Sequence, residues 1–243
     1  MSYPYEKFDG LGKVAVIDVE TTGLNSEKDR IVSVAVFRVD LSTPKLNEDL
    51  KGEILNYVVD PQCTIPKDAS DIHGITNADI KDKPTFSEIA KELRDFIGTL
   101  PLIGHNVSFD KKFLSAEFKR VGVKTLHRNK SYCTMYRYRQ WNNGIRKGSS
   151  LDAVARQFCF QGRKNGKHSA LEDVGITAKI AALYVLQDRD KFHPGEPPGF
   201  PEREQNYKRK HHSGKSVPIS KKKFSLQFVF IAIILITVWI LFF

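Results

Sequence analysis

Between Val14 and Val59 the chain carries three short runs in which β-branched and other apolar residues dominate: Val14–Glu20, Ile31–Val39 and Glu53–Val59. Runs of this length and composition predict strands. Downstream the period changes. Phe86, Ile89, Leu93, Phe96 and Ile97 recur at helical spacing, and Thr85 with Glu88 forms a T-x-x-E capping box, so a helix is predicted from Phe86. Leu102 to Asn106 (L-I-G-H-N) predicts a further short strand. Ser108 is placed to cap a helix carrying Phe109, Phe113, Leu114 and Phe118, with Gly122 as its stop. Two more helices are predicted near Ser150–Phe158 and Leu171–Leu186, the second with Ala178, Ala181 and Ala182 small enough for close packing on a sheet. Strands first and alternating helices later predict one α/β domain over residues 10–188, a mixed β-sheet flanked by helices.

Beyond that domain the pattern changes twice. Residues 189–223 contain P-G-E-P-P-G-F-P and K-R-K-H-H-S-G-K, which predicts a basic linker without regular structure. Phe224–Phe243 is then a run of twenty residues without one charge, with Ser225, Gln227 and Thr237 its only polar side chains. That length spans a hydrocarbon core of about 30 Å. Lys221, Lys222 and Lys223 precede it, as expected of a cytoplasmic flank. The expectation is a single-pass transmembrane helix acting as a tail anchor, with the catalytic domain on the cytoplasmic side and the membrane as a partner.

Composition sharpens this only a little. Apolar and charged fractions of 41% and 27% are ordinary for a globular chain and argue against global disorder. Nine Lys/Arg and three Asp/Glu fall between Lys191 and Lys223, so six of the net +10 charges belong to the tail. The remaining domain is mildly basic, which suits a polyanionic substrate. Cys63, Cys133 and Cys159 are odd in number and far apart, which points to neither a disulfide framework nor a zinc site. The N-terminal segment M-S-Y-P-Y-E-K-F-D-G lacks the apolar run of a secretory signal.

Candidate chemistry lies in three contexts: V-A-V-I-D-V-E-T-T-G, I-G-H-N-V-S-F-D and H-S-A-L-E-D. Asp18 and Glu20 are two apart on a predicted strand and share a face. Buried like charges repel unless a cation intervenes, so this pair on an apolar strand is hard to explain structurally. Asp110 falls in the first turn of its helix, where the dipole favours a carboxylate in any case. His168 follows the Gly-rich, basic G-R-K-N-G-K loop and precedes Asp173 by five positions. Carboxylates are hard ligands suited to Mg²⁺ or Mn²⁺, and a pair of such ions promotes phosphodiester hydrolysis. His168 would accept a proton near neutral pH, approaching on a mobile loop. His73, in D-I-H-G-I-T, is read as part of a short loop that positions substrate.

Together these contexts resemble the DEDDh (DnaQ-like) exonucleases, most closely the epsilon-type proofreading subunit of bacterial replicative polymerases. The resemblance covers about Val14 to Leu186, with D-V-E-T-T-G-L, I-H-G-I-T, G-H-N-V-S-F-D-x-x-F-L and H-S-A-L-E-D in the family's order. It implies a ribonuclease H-like fold and metal-dependent 3′-to-5′ exonuclease activity that releases nucleoside monophosphates. It assigns Asp18, Glu20, Asp110 and Asp173 to two divalent ions and His168 to the general base. It also places Thr21, Thr22 and Leu24 against the terminal nucleotide, Leu24 as a wedge, with His73, Asn106 and Phe109 lining the same groove. Single-stranded DNA is the substrate it favours. RNA trimming by the same chemistry, or a nucleic-acid-binding factor with a vestigial site, are the alternatives. The tail departs from the epsilon pattern, in which sequence beyond the catalytic domain tethers it to a polymerase, and this argues against a polymerase partner.

Overall fold

The structure, a computed structural model, describes residues 7–45, 48–142, 146–158 and 160–189. The expected membrane span, and the expected linker apart from Arg189, lie outside the described residues. Among the described residues no helix is long and apolar enough to cross a membrane.

Three consecutive strands, β1 (Lys13–Thr21), β2 (Ile31–Asp40) and β3 (Gly52–Val58), form an antiparallel meander. Helices α1 (Lys67–His73) and α2 (Phe86–Ile97) lead to β4 (Leu102–Gly104), which runs parallel to β1. Helix α3 (Val107–Arg120) crosses to β5 (Ser131–Cys133), parallel to β4. Then come α4 (Thr134–Trp141), α5 (Leu151–Gln157) and α6 (Ala170–Arg189). The sheet order β3-β2-β1-β4-β5 sets β1 in the middle. This is the mixed sheet flanked by helices that the sequence predicts.

A central strand covered on both faces should read as a continuous apolar run, and β1 does. Val14 and Val16, with Ala35, Phe37 and Val39, pack on one face beneath Val154, Val174, Ala178 and Ala181 of α5 and α6. Ala15, Ile17 and Val19, with Val34 and Val36, pack on the other beneath Phe86, Leu93, Phe113 and Phe118 of α2 and α3. Each such side chain taken wholly from water contributes about 1.5–3 kcal/mol. Ala178, Ala181 and Ala182 are all buried, so α6 does approach the sheet through small residues. A bulge interrupts the β1–β2 ladder: Glu20 pairs with Ser33 but Thr21 with Ile31. The extra residue, Val32, packs instead against Ile65, Ala69 and Ile80, which seats α1 near the end of β1.

Several local expectations are corrected. The strand read as Glu53–Val59 is the exposed edge strand β3, Gly52–Val58, with Ile54 turned to solvent. The D-I-H-G-I-T segment is not a loop throughout: it closes α1, with His73 the last helical residue and Gly74 at φ 77°. Only Ala69 and His73 of α1 are buried, so its sequence carries no apolar stripe to announce it. Strand β4 ends at Gly104, and the cap position of α3 is Asn106 rather than Ser108. Asn106 is left-handed at φ 85°, and the Ser108 hydroxyl donates to its Oδ1 at 3.3 Å. At α2, the Glu88 carboxylate accepts from the Thr85 N–H (2.7 Å) and hydroxyl (2.8 Å), as expected of its capping pair.

One buried charge ties α3 to the β1–β2 turn. Glu117 is fully buried and accepts from Arg30 Nε at 2.7 Å, Arg30 Nη2 at 3.1 Å and the Ile31 N–H at 3.3 Å. Arg120 adds a contact at 3.1 Å. Removing this acceptor strands two guanidinium groups that retain partial access to water. Glu117→Ala is therefore expected to lower unfolding free energy by about 2–4 kcal/mol. Urea denaturation checks this, and an unchanged midpoint would show that Glu117 does not hold the turn.

Candidate active site

The alternation that buries Val14 and Val16 against α6 carries Asp18 and Glu20 onto the same face, at the carboxyl end of β1. Helix α6 lays its small residues along that face, which brings its first turn, with Asp173, to the two carboxylates. Helix α3 begins beyond the end of β4, parallel to β1, and Asp110 in its first turn reaches back to β1. The Val19 N–H donates to Asp110 Oδ1 at 3.1 Å. Asp110 and Asp173 are only 3% and 2% exposed. The ligand atoms of Glu20, His168 and Asp173 lie within 4.8 Å of one another, a group able to hold a metal ion.

The electrostatics follow from this crowding. Burial, and then the Asp110, Asp173 and Glu20 carboxylates, push Asp18 well above its ordinary range. Burial and Asp173 raise Glu20 to about 8, and burial raises Asp110 to about 7 against the Val19 hydrogen bond. Glu20 Oε1 is buried without a hydrogen-bond partner. Oxygen donors that resist ionisation and lack protein partners are suited to a multivalent cation. Asp173 is raised by burial but restrained by Arg163. The Arg163 fork donates from Nε to Asp173 Oδ1 at 2.8 Å and from Nη2 to Oδ2 at 2.5 Å.

His168 is pinned rather than free. Its N–H donates to the Ile72 carbonyl at 3.1 Å, and the neighbouring Lys167 ammonium contacts the Asp71 carbonyl. Burial first and Arg163 second lower the His168 pKa, so its imidazole is neutral near neutral pH and can accept a proton. The loop is attached to α1 on one side and, through Arg163, to α5 and α6 on the other.

A cleft of about 500 Å³ joins these groups, and Thr21, Thr22, Leu24, His73, Asn106 and Phe109 all line it. Leu24 stands 87% exposed on the rim. The two threonine hydroxyls serve the turn: Thr21 Oγ1 donates to the Gly23 carbonyl at 2.6 Å, and Thr22 Oγ1 accepts the Arg30 N–H at 3.0 Å. The Asp29 carboxylate accepts the Asn25 N–H at 2.8 Å, and a Cβ on Gly23 would meet it at 2.5 Å. A side chain at Gly23 would have to displace that carboxylate. His73 Nδ1 accepts the Ile75 N–H at 3.0 Å, while its buried Nε2 is turned toward the Thr21 carbonyl without completing a hydrogen bond.

Sequence reasoning missed two residues here, Arg163 and Asp152. Arg163 and Asp152 are joined at 2.8 Å, and Arg163 alone of the loop's basic residues faces inward. Nothing in G-R-K-N-G-K distinguishes it from Lys164 or Lys167, because its partners come from α5 and α6. His105 bridges Thr134 Oγ1 (2.9 Å, from Nδ1) and the Ser149 carbonyl (2.8 Å, from Nε2). Burial lowers its pKa to about 4, which leaves it neutral with the Nε2 proton donated to Ser149. His105 thereby orients backbone at the foot of α5, a role its G-H-N context left open.

The carboxylate shifts predict how stability varies with pH. Glu20 and Asp110 sit near 8 and 7 when folded and return to about 4.5 and 3.8 on unfolding. In that interval the folded chain binds more protons, so these groups make stability fall as pH rises. The depressed histidines act oppositely, but only below their unfolded value of 6.5. The metal-free chain should therefore lose thermal stability between about pH 6.5 and 8, and Mg²⁺ should restore more at the upper end. Glu20→Gln should flatten the slope. Thermal melts in chelator and in Mg²⁺ test this, and a melting temperature that rises across the interval contradicts it.

Comparison with known proteins agrees with the geometry. The family model described as Exonuclease (RNase_T) matches residues 15–181. The chain is 33% identical over 169 residues to DNA polymerase III subunit epsilon of Rickettsia prowazekii, covering 68% of this chain and 70% of that one. It is 34% identical over 169 residues to the same subunit of Aquifex aeolicus, covering 70% and 78%. Escherichia coli exonuclease I, solved in complex with a dT13 oligonucleotide, superposes with TM-score 0.59 at 19% identity. That match covers 74% of this chain but spans only 42% of exonuclease I. Exonuclease X, solved with 5′ overhanging duplex DNA, superposes with TM-score 0.52 at 24% identity over 76% of this chain and 96% of its own. The two structures support the fold; the family model and the epsilon relatives carry the assignment. The chain belongs to the exonuclease family and is a metal-dependent 3′-to-5′ exonuclease.

Proposed function

We propose that the chain removes nucleotides one at a time from the 3′ end of DNA, single-stranded by preference, using two divalent ions, Mg²⁺ or Mn²⁺. The observation that carries this reading is the convergence of Asp18, Glu20, Asp110, Asp173 and His168 at one end of one strand. The donor set suits such ions: four carboxylates, three of them more than nine-tenths buried, with Glu20 Oε1 lacking any protein partner. Asp18, Glu20 and Asp173 would hold one ion, and Asp18 and Asp110 the other. When bound, the ions polarise the scissile phosphate and stabilise charge on the attacking and leaving oxygens.

The side chains then do the rest. His168, neutral and fixed by its backbone to Ile72, accepts the proton of the attacking water. In-line attack on phosphorus breaks the bond to the 3′-oxygen and releases a nucleoside 5′-monophosphate. Leu24 presses on the terminal base, while His73, Asn106 and Phe109 wall the cleft around it. Phe109 is itself backed by Phe113, 4.7 Å away between ring centroids. DNA is preferred over RNA on the strength of the epsilon relatives and of exonuclease I, which has been solved with a deoxyoligonucleotide.

Release of mononucleotides from labelled single-stranded DNA and RNA tests this reading. Asp18→Asn should abolish Mg²⁺-dependent release in a folded protein, and full residual activity would sink the assignment. His168→Ala should slow release by about 10²–10⁴-fold while Mn²⁺ still binds. An unchanged rate removes His168 from the mechanism, and faster release from RNA reverses the substrate preference.

The same reading extends to location. Residues 224–243 anchor the chain in a membrane and leave the catalytic domain on the cytoplasmic face; their uncharged composition and the preceding lysines, Lys221–Lys223, support this. The full chain should stay in the pellet after alkaline extraction, whereas a version ending at Asp190 should be soluble and active. A full chain that washes off contradicts the anchor.

A further inference from the structure

Arg163 is the one strong cation in direct contact with the carboxylate cluster among the described residues. Its fork covers both oxygens of Asp173. Its third nitrogen, Nη1, donates to Asp152 Oδ2 at 2.8 Å, and its own N–H donates to Asp152 Oδ1 at 3.2 Å. The Arg163 and Asp173 side chains are 7% and 3% exposed, while Asp152 is 25% exposed. One guanidinium therefore joins a deep carboxylate to a shallower one. The deep carboxylate is the one whose oxygens, with Glu20 and His168, could hold an ion.

A guanidinium and a divalent ion repel strongly at contact distance in a partly desolvated site. Both draw on the lone pairs of Asp173, and the single fork already takes a site on each oxygen. Asp152 provides a second place for the arginine to stay, because that pairing uses a different nitrogen and the backbone. We propose that Arg163 is the cation that balances Asp173 before metal arrives, and that an ion takes Asp173 only by shifting Arg163 onto Asp152. This rests on the reading of the cluster as a divalent-ion site.

The consequence reaches the loop that carries His168. Residues 160–169 are held to α5 and α6 through Arg163 and to α1 through the His168 N–H and Lys167. Shifting Arg163 off Asp173 releases the hold on α6 and leaves the loop attached to α5 at Asp152 and to α1. The loop loosens around residues 164–166 while Arg163 keeps its backbone bond to Asp152 and His168 keeps its backbone bond to Ile72. Metal filling and loop freedom are thereby coupled, with Arg163 setting how readily the ion binds. Arg163 is a positioning residue in this scheme; it needs no contact with the nucleotide.

The test uses the full chain with Mn²⁺ alone and no nucleic acid, with free Mn²⁺ measured by electron paramagnetic resonance. Arg163→Gln should bind Mn²⁺ about tenfold more tightly than the parent chain, because the competing charge in contact with Asp173 is gone. Lys164→Gln removes the same charge from an exposed neighbouring position and should change affinity by less than about twofold, as a screened charge does. Equal gains from both variants would reduce the effect to the general field of the loop and overturn the displacement. A folded Arg163→Gln chain that binds no more tightly also overturns it. Hydrogen exchange on the parent chain needs no variant: amides of residues 164–166 should exchange faster with Mn²⁺ bound, and the Arg163 and His168 amides should not. Unchanged or slower exchange at 164–166 overturns the coupling. Failure of the parent chain to bind Mn²⁺, or binding that survives Asp18→Asn, would instead sink the divalent-ion reading.

Discussion

Mutual repulsion of four carboxylates gathered where water is scarce is the constraint around which this domain is organised. Left alone, such groups separate or take up protons, and Asp18, Glu20 and Asp110 are all displaced toward the protonated form. The fold keeps them together by attaching each to something that cannot yield. Asp18 and Glu20 belong to the central strand, hydrogen-bonded to neighbours on both sides and packed above and below. Asp110 sits at the amino end of α3, where the helix dipole and the Val19 N–H both favour its charge. Asp173 sits in the first turn of α6 and receives the Arg163 fork. Apolar packing on the two sheet faces supplies the opposing free energy, and the repulsion becomes affinity for cations.

The same arrangement separates what must be rigid from what must adjust. The four carboxylates come from a strand and two helix starts, whereas His168 comes from a connection between α5 and α6. That connection is held by a backbone hydrogen bond, an ammonium on a carbonyl and an arginine fork, none of which is a packed apolar contact. Polar attachments of this kind exchange partners without disturbing the core. Glu117 supports the opposite wall in a different manner, since it is fully enclosed and fixes the Thr21–Arg30 turn to α3. One wall of the cleft is locked and the other can be rearranged.

How much of this could be read in advance depended on whether the signal was local. The strands β1 and β2, the capped start of α2, the apolar face of α3 and the alanine-rich α6 each announce themselves within a single window. Asp18 and Glu20 were legible because a carboxylate pair on an apolar strand contradicts burial unless a cation is involved, whereas Asp110 and Asp173 were joined to them through the family resemblance. Helices α1 and α4 were not legible, because α1 buries only two residues and α4 buries Thr134 and Arg137 beside Tyr138, which is no apolar stripe. Asn106 took the cap position assigned to Ser108 because the short β4–α3 turn needs a left-handed residue there, a demand set by the crossover. Arg163 and Asp152 escaped notice for a related reason: they act through partners from other elements, and side-chain direction in a loop leaves no periodic trace.

The distribution of positive charge bears on how a polyanion would be held. Six of the ten net positive charges lie from Lys191 onward, so the rest of the chain carries a surplus of only four. Several of its arginines are also engaged internally: Arg30 and Arg120 with Glu117, Arg137 with Asp188, and Arg163 with Asp152 and Asp173. A broad basic surface is therefore a poor account of substrate affinity. On the proposed assignment, the phosphates next to the scissile bond are held chiefly through the ions on the carboxylates. The terminal nucleotide is held by exposed or half-exposed apolar groups, Leu24, Ile72 and Phe109. Binding that depends on a few close, desolvated contacts is screened less by salt than binding to a charged patch, and it reaches only the last residues of the strand. Recognition of an end rather than of a length of nucleic acid then follows from where the charges were placed: inward, around one carboxylate cluster, with little surplus on the surface of the domain.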